Sequence, residues 1–97
     1  MERIDRKFNI EATKVKDGKR VTHSEAVLLL AKDNATLPTL QFYHSECERL
    51  GADEVQLKAV RLLIARVEKW RATHPKKCKV PDVDAGREAK IVLKPNQ

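Results

Sequence analysis

Residues 53–74 read DEVQLKAVRLLIARVEKWRATH, and this stretch decides the fold. Its apolar residues recur at the spacing of one face of an α-helix. Asp53 is a favourable N-cap, Gln56 follows at the capping-box position, and Pro75 cannot continue a helix. The pattern therefore predicts a long helix that begins near Asp53 and ends near His74. Its predicted core stripe consists of Leu57, Val60, Leu63, Ile64, Val67 and Trp70.

A second helix is predicted before it, from Pro38 to Leu50. Proline suits a first helical turn, where its missing N–H is not needed, and Gly51 suits the residue after a helix end. The short link at Gly51-Ala52 predicts that the two helices are antiparallel or steeply crossed. Leu40, Tyr43, Cys47 and Leu50 form the predicted core stripe, and Phe42 points elsewhere.

The N-terminal third predicts a β-hairpin and a further helix. Residues 7–15 partly alternate, Asp17-Gly18 is a favoured two-residue hairpin turn, and residues 20–22 begin the return strand. Thr22 and Glu25 have the spacing of a capping box, which predicts a helix from Thr22 to about Lys32. Because that helix is apolar nearly all round, we expect it in the middle of the fold.

The C-terminal segment predicts less regular structure. Residues 76–88 are polar and contain Pro81 and Gly86, which is typical of a loop or an ordered arm. Residues 89–94, AKIVLK, could form a short strand beside the hairpin. The whole chain, residues 1–97, is therefore predicted to be a single small α+β domain. It is mainly helical, with an N-terminal β-hairpin, three helices and a short C-terminal strand.

Length and composition exclude several classes of protein. A chain of 97 residues provides one domain's worth of core, too little for a large enzyme. The longest apolar run, residues 26–31, is far shorter than the about 20 residues of a membrane span. No secretion signal opens the sequence, so we expect a cytoplasmic protein without a membrane partner.

Positive charge is concentrated in one segment. The net charge is +6, and residues 58–79 contain eight lysines and arginines but one acid, Glu68. On a helical wheel, Arg71 falls towards the core side. Four other bases form a band about 140° wide opposite the core stripe. This basic band consists of Lys58, Arg61, Arg66 and Lys69, and the lysine cluster Lys76, Lys77 and Lys79 follows it.

Apolar residues lie inside the basic band, with Leu62 near its middle and Val55 and Ala65 beside it. An apolar centre ringed by bases is typical of a protein-docking surface, provided that the rest of the chain does not cover Leu62. The expected partner is an acidic surface of a protein or nucleoprotein. The predicted binding residues are Lys58, Arg61, Leu62, Arg66, Lys69, Lys76, Lys77, Lys79 and Phe42.

Two other interpretations of the basic band stay open. The same bases could bind the phosphate backbone of a nucleic acid, although only four aromatic residues are present for stacking on bases. The band could also be a solvated face that only keeps the protein soluble.

Two His/Cys pairs could in principle provide four zinc ligands: His44 with Cys47, and His74 with Cys78. A disulfide between Cys47 and Cys78 is a further possibility. However, Cys47 lies on a core stripe, and Pro75 interrupts the helical spacing of the second pair. We therefore predict neither a metal nor another cofactor.

Catalytic motifs are missing from the sequence. The three glycines are too far apart for a phosphate-binding loop, and the neighbouring His23 and Ser24 suit a helix cap better than nucleophilic catalysis. We expect no catalytic residues. A short chain with lopsided charge is typical of the small regulatory or inhibitory proteins that phages and mobile elements encode.

Overall fold

The computed structural model describes residues 2–95. Its elements are β1 (Glu11–Thr13), β2 (Arg20–Thr22), α1 (Thr36–Arg49), α2 (Glu54–Thr73) and α3 (Glu88–Val92), with one 3-10 turn at Pro75–Lys77. The α+β class, mainly helical, with an N-terminal hairpin followed by three helices, is confirmed.

The chain forms two compact units. The described residues up to Leu28 and from Asp82 onward make up the first unit, which contains the hairpin and α3. Residues 29–81 make up the second unit, which contains α1 and α2. That residues 1–97 behave as a single domain stays a prediction.

The longest helix, α2, matches its predicted position. The Asp53 carboxylate accepts a hydrogen bond from the Gln56 N–H at 2.8 Å and so caps the first turn. Val60 is the most buried apolar residue of the helix, at 4% exposure. The other predicted core residues are half-buried except Leu63, which is exposed. Leu63 lies about 60° from Val60 on the helical wheel, and α1 covers only part of the circumference of α2.

The preceding helix, α1, begins at Thr36, two residues before Pro38. Thr36 is buried, its N–H donates to the Asp33 carbonyl at 3.0 Å, and its hydroxyl donates to the Leu30 carbonyl at 2.6 Å. These bonds fix the chain at the helix start, which explains the earlier beginning. At the other end, Gly51 has φ +80°, as its predicted position after the helix requires.

The core stripe predicted for α1 is only half correct. Cys47 is buried and Leu40 half-buried, but Tyr43 and Leu50 are exposed. A helical pattern shows which side of a helix is apolar, whereas the neighbouring elements decide how much of that side is covered.

The predicted helix from Thr22 to Lys32 is wrong. Thr22 ends β2, and a turn follows in which its carbonyl accepts from the Glu25 N–H at 3.0 Å and its hydroxyl from the Ser24 N–H at 3.3 Å. Residues 26–30 form neither helix nor strand. The Leu28 N–H, which a helix would use internally, donates to the Asp5 carboxylate at 3.0 Å. A helix of this length is marginal by itself, so such a bond can displace it.

The expected central helix is therefore not formed. Val27, Leu28 and Leu29 are exposed instead of lying in the middle of the fold. Their apolar character therefore contributes little burial in this structure.

The N-terminal hairpin is confirmed, but its turn is longer than predicted. β1 pairs antiparallel with β2. The Lys14 N–H donates to the Lys19 carbonyl, and the Gly18 N–H donates to the Lys14 carbonyl, both at 2.8 Å. Residues 15–18 therefore form a four-residue loop, and Lys14 faces Lys19. Within that loop only Gly18 has a positive φ, +75°, so Asp17 does not need one.

The short strand predicted at residues 89–94 is wrong, because Glu88–Val92 form the helix α3. The Asp84 carboxylate accepts hydrogen bonds from the N–H groups of Gly86 and Arg87, and the Glu88 carboxylate accepts from the Asp84 N–H. These reciprocal side-chain bonds are typical of a helix N-terminus. The hydrogen bonds from Gly86 and Arg87 also lower the pKa of Asp84.

Candidate docking surface on α2

All four bases of the basic band are exposed on α2. The Arg61 guanidinium forms an ion pair with Glu54, with 2.6 Å between Nη2 and Oε1, and its Nη1 lies 3.4 Å from His44 Nε2. Within residues 2–95, Lys58, Arg66 and Lys69 form no salt bridge with an acid. Three of the four cations are thus not neutralised by the described part of the chain.

The apolar centre of the basic band is also accessible. Leu62 is 47% exposed and Val55 is 79% exposed, and Ala65 beside them is exposed as well. Half of the Leu62 side chain can therefore be removed from water only by another molecule or by a rearrangement of this chain. A single exposed leucine is ordinary, but one surrounded by unneutralised bases is a candidate anchor.

Arg71 lies off the basic band, as its position on the wheel indicates. Its Nη1 donates to the carbonyls of Ala31 and Asp33 at 3.0 and 3.1 Å, and its Nη2 donates to Asn34 Oδ1 at 2.8 Å. The guanidinium thus bonds to the segment that leads into α1 and has a structural role.

The lysine cluster follows α2 directly. Lys76 and Lys77 are exposed in the 3-10 turn. The Lys79 main chain forms a parallel bridge with Asp33: its N–H donates to the Lys32 carbonyl at 3.0 Å, and its carbonyl accepts from the Asn34 N–H at 2.8 Å. Residues 75–79 are therefore ordered, and they hold their lysines close to the C-terminal end of the basic band.

Phe42 is exposed, as a binding residue must be, but it lies on α1. On a helical wheel it points about 140° away from the buried Cys47. The basic band points away from the buried Val60 of α2. Phe42 and the basic band therefore lie on the outer sides of two different helices, and the assignment of Phe42 to the binding surface stays a prediction.

The histidines and cysteines that could bind a metal have other contacts. His44 Nδ1 lies 3.4 Å from Glu48 Oε1, and the His74 ring stacks on Trp70 with 4.3 Å between ring centroids. The thiols of Cys47 and Cys78 are both free, so the disulfide does not form. In the part of the chain from residue 2 to residue 95, no three His, Cys, Asp or Glu side chains are grouped as metal ligands.

Sequence reasoning missed a second set of exposed apolar side chains on the two long helices. Tyr43, Leu50 and Leu63 were assigned to core stripes, yet all three are exposed. Helical periodicity gave no signal for this exposure, because Trp70 lies farther from the centre of the α2 stripe than Leu63 and is nevertheless half-buried.

Comparisons of the chain with protein-family models, with curated proteins and with solved structures found no match. Across residues 2–95, none of the helices has both the length and the apolar character needed to cross a bilayer.

Proposed function

We propose that this chain is a small, cytoplasmic, non-enzymatic regulatory or inhibitory protein that docks the basic band of α2 on an acidic surface of a partner protein. The observation that supports this most directly is the half-exposed Leu62 beside Lys58, Arg66 and Lys69. The three cations attract an acidic surface and orient it, because complementary charge speeds encounter and selects the partner. Leu62 and Val55 then provide the apolar contacts that slow dissociation.

The second candidate function is binding to a nucleic-acid backbone. It is favoured by the lysine cluster, which continues the positive charge beyond the about 16 Å between Lys58 and Lys69. Phosphate groups would neutralise these bases, but they would gain nothing from an exposed leucine. Leu62 therefore discriminates between the two functions.

The test is to capture binding partners from the protein's own cells, with and without nuclease, and to measure the affinity of each captured molecule. Affinities are measured at about 50 and about 200 mM salt, the range in which phosphate-backbone binding falls by about 10³ to 10⁵. Wild type is compared with Leu62→Ala and with Leu93→Ala, a matched control on an exposed leucine outside α2.

The proposal expects nuclease-resistant partners whose affinity falls about tenfold in Leu62→Ala at both salt concentrations and is unchanged in Leu93→Ala. Loss of all partners after nuclease, with a steep salt dependence and no effect of Leu62→Ala, would establish the nucleic-acid function instead.

A further inference from the structure

The two long helices carry a second set of exposed apolar side chains besides the residues inside the basic band. Leu50 on α1 is 72% exposed, and Tyr43, two turns earlier on the same helix, is 51% exposed. Leu63 on α2 is 42% exposed. Large side chains of this kind on neighbouring helices form a surface only if they lie on the same side of the helix pair.

One side of the helix pair is marked by the contact between Arg61 Nη1 and His44 Nε2 at 3.4 Å. The helices pack on each other across the short link at Gly51-Ala52, and this contact lies between one and two turns from the link on each helix, as in an antiparallel helix pair. On helical wheels that place the buried residues Cys47 and Val60 at zero, His44 lies at about +60° and Arg61 at about +100°. Positive angles on both helices thus point to the same side.

The opposite side carries the exposed apolar residues. On the same wheels Tyr43 and Leu50 lie at about −40° and −60°, and Leu63 lies at about −60°. Because residues displaced in the same sense lie on the same side of an antiparallel pair, these three line both walls of the groove between α1 and α2. Val55 and Leu62, at about −140° and −160°, point away from α1 and belong to the basic band on the outer side of α2.

The apolar part of this groove has a length that a partner helix can cover. Its α1 wall extends about 10 Å from Tyr43 to Leu50, and Leu63 provides the apolar part of its α2 wall. About two turns of a helix from another molecule would cover this length, with apolar residues at the usual three- and four-residue spacing.

The charge around the groove determines which charge a bound helix must carry. Arg66 lies at about −120° on the same wheel and follows Leu63 by one turn, so the α2 wall is positive. On the α1 wall, Arg49 Nε donates to Glu46 Oε2 at 2.6 Å, which neutralises both groups and raises the pKa of Arg49. An occupant therefore meets net positive charge on the α2 side.

A second copy of this chain offers less charge complementarity than an acidic helix. A two-fold interface presents the same patch on both subunits, and on that patch Glu46 is already paired with Arg49, so a second copy would bring no unpaired acid to Arg66. An acidic helix would supply one.

We infer that the partner inserts an amphipathic α-helix, apolar on one face and acidic along one flank, into the groove between α1 and α2. The inference rests on the proposed function and specifies which structural element of the partner binds. Tyr43, Leu50 and Leu63 contact its apolar face, and Arg66 contacts its acidic flank.

A synthetic probe tests this inference on the full chain. The probe is a peptide of about 20 residues, long enough to be helical when bound, with leucines at helical spacing and glutamates elsewhere. Its control has the same composition in scrambled order, which keeps the charge and removes the apolar face. Affinity is measured by titration, and backbone NMR shifts locate the bound peptide.

The expected result is that the patterned peptide binds at least about tenfold more tightly than the scrambled one and shifts the resonances of Tyr43, Leu50 and Leu63. In the chain, Leu50→Ala weakens binding about tenfold, whereas Leu93→Ala does not. Leu50 suits this test because it is 72% exposed and its truncation removes little core packing, and circular dichroism verifies that the variant is folded.

Three results would overturn the inference. Equal binding of the two peptides would mean that charge alone is recognised, and absence of binding at millimolar concentration would mean that no such groove site exists. A dimer of the purified chain that Leu50→Ala dissociates would make the second copy the occupant. The proposed function fails separately, because its test uses Leu62→Ala on the captured partner and does not involve Leu50.

Discussion

Each of the two compact units is stabilised internally by a different kind of interaction. In the first unit the Asp5 carboxylate accepts hydrogen bonds from the N–H groups of Lys7, Phe8 and Leu28 at 2.8 to 3.0 Å. The His23 carbonyl accepts from the N–H groups of Ile4 and Asp5. In the second unit, α1 and α2 pack on each other, and Arg71 on α2 donates hydrogen bonds to the segment that leads into α1. Polar side chains thus organise the irregular chain, whereas helix packing organises the rest.

The comparison shows how a chain with few buried apolar residues holds its loops in place. Ile10 is the buried apolar residue in the described part of the first unit, and Cys47 and Val60 are those of the second. Burial on this scale cannot fix long irregular segments, so ionised side chains bond their main-chain groups instead. The side chains that do this differ in charge between the two units. Acid can neutralise the Asp5 carboxylate but not the Arg71 guanidinium.

The largest effect is expected for Arg71→Met, which removes the anchor of the second unit. It leaves the carbonyls of Ala31 and Asp33 without their charged donor, and we expect a loss of about 3 kcal/mol in the free energy of unfolding, measured with urea. Arg66→Met, the same change at an exposed position of the same helix, should cost less than about 0.5 kcal/mol. Equal losses in the two variants would mean that the Arg71 bonds do not support the segment.

A somewhat smaller effect is expected for Asp5→Asn in the first unit. The amide keeps one oxygen but replaces the other with an NH₂ group, which cannot accept a hydrogen bond. The retained oxygen can still accept from Lys7 and Phe8, so the bond from the Leu28 N–H is the one that is lost. We expect a loss of about 2 kcal/mol and faster hydrogen exchange at the Leu28 amide. Glu25→Gln removes an exposed negative charge from the same unit and should change neither quantity. Unchanged exchange in Asp5→Asn would refute the anchoring role.

Acid should distinguish the two anchors. Burial favours a raised pKa for Asp5, but the hydrogen bonds from Leu28, Phe8 and Lys7 and the nearby Arg3 outweigh it, so the pKa is lowered. A lowered folded-state pKa contributes stability above the unfolded value of about 4, and this stability is lost as the pH falls through the folded value.

We therefore expect the difference in unfolding free energy between wild type and Asp5→Asn to shrink when the pH is lowered below about 4. The difference between wild type and Arg71→Met should lose nothing through titration of its own side chain, because arginine stays charged. Urea titrations at several pH values measure both. A difference for Asp5→Asn that stays constant down to the lowest pH would contradict the lowered pKa.

The sequence predicted α2 and the direction of its basic band because the signals for both are local. Asp53 and Pro75 mark the ends of the helix, and its periodicity separates the apolar from the charged side. The predicted helix at 22–32 failed for the opposite reason. Its capping pattern was real, but Thr22 closes a turn, and the Leu28 N–H bonds to a carboxylate 23 positions earlier in the chain.

The candidate surface was predictable to a similar extent. Exposure of Lys58, Leu62 and Arg66 follows from their positions opposite the core stripe. Exposure of Tyr43 and Leu63 does not, because the elements that cover one part of a stripe and leave another part open can lie far away in the sequence. The groove could therefore be recognised only when the packing of α1 on α2 was known.

The smallest effects are expected at the turns, where the two units should behave alike. Gly18 has φ +75° in the first unit, Gly51 has φ +80° in the second, and a Cβ added at either position would meet nothing within 4 Å. Alanine at either site should therefore cost only the backbone strain of the left-handed region, about 1 kcal/mol. Gly86→Ala is the control, because its φ is not in that region and its Cβ would make an ordinary 3.6 Å contact with Asp84, so urea unfolding should change little. If one of the two variants loses much more unfolding free energy than the other, its turn takes part in tertiary contacts. The contrast between the two units would then extend to their turns.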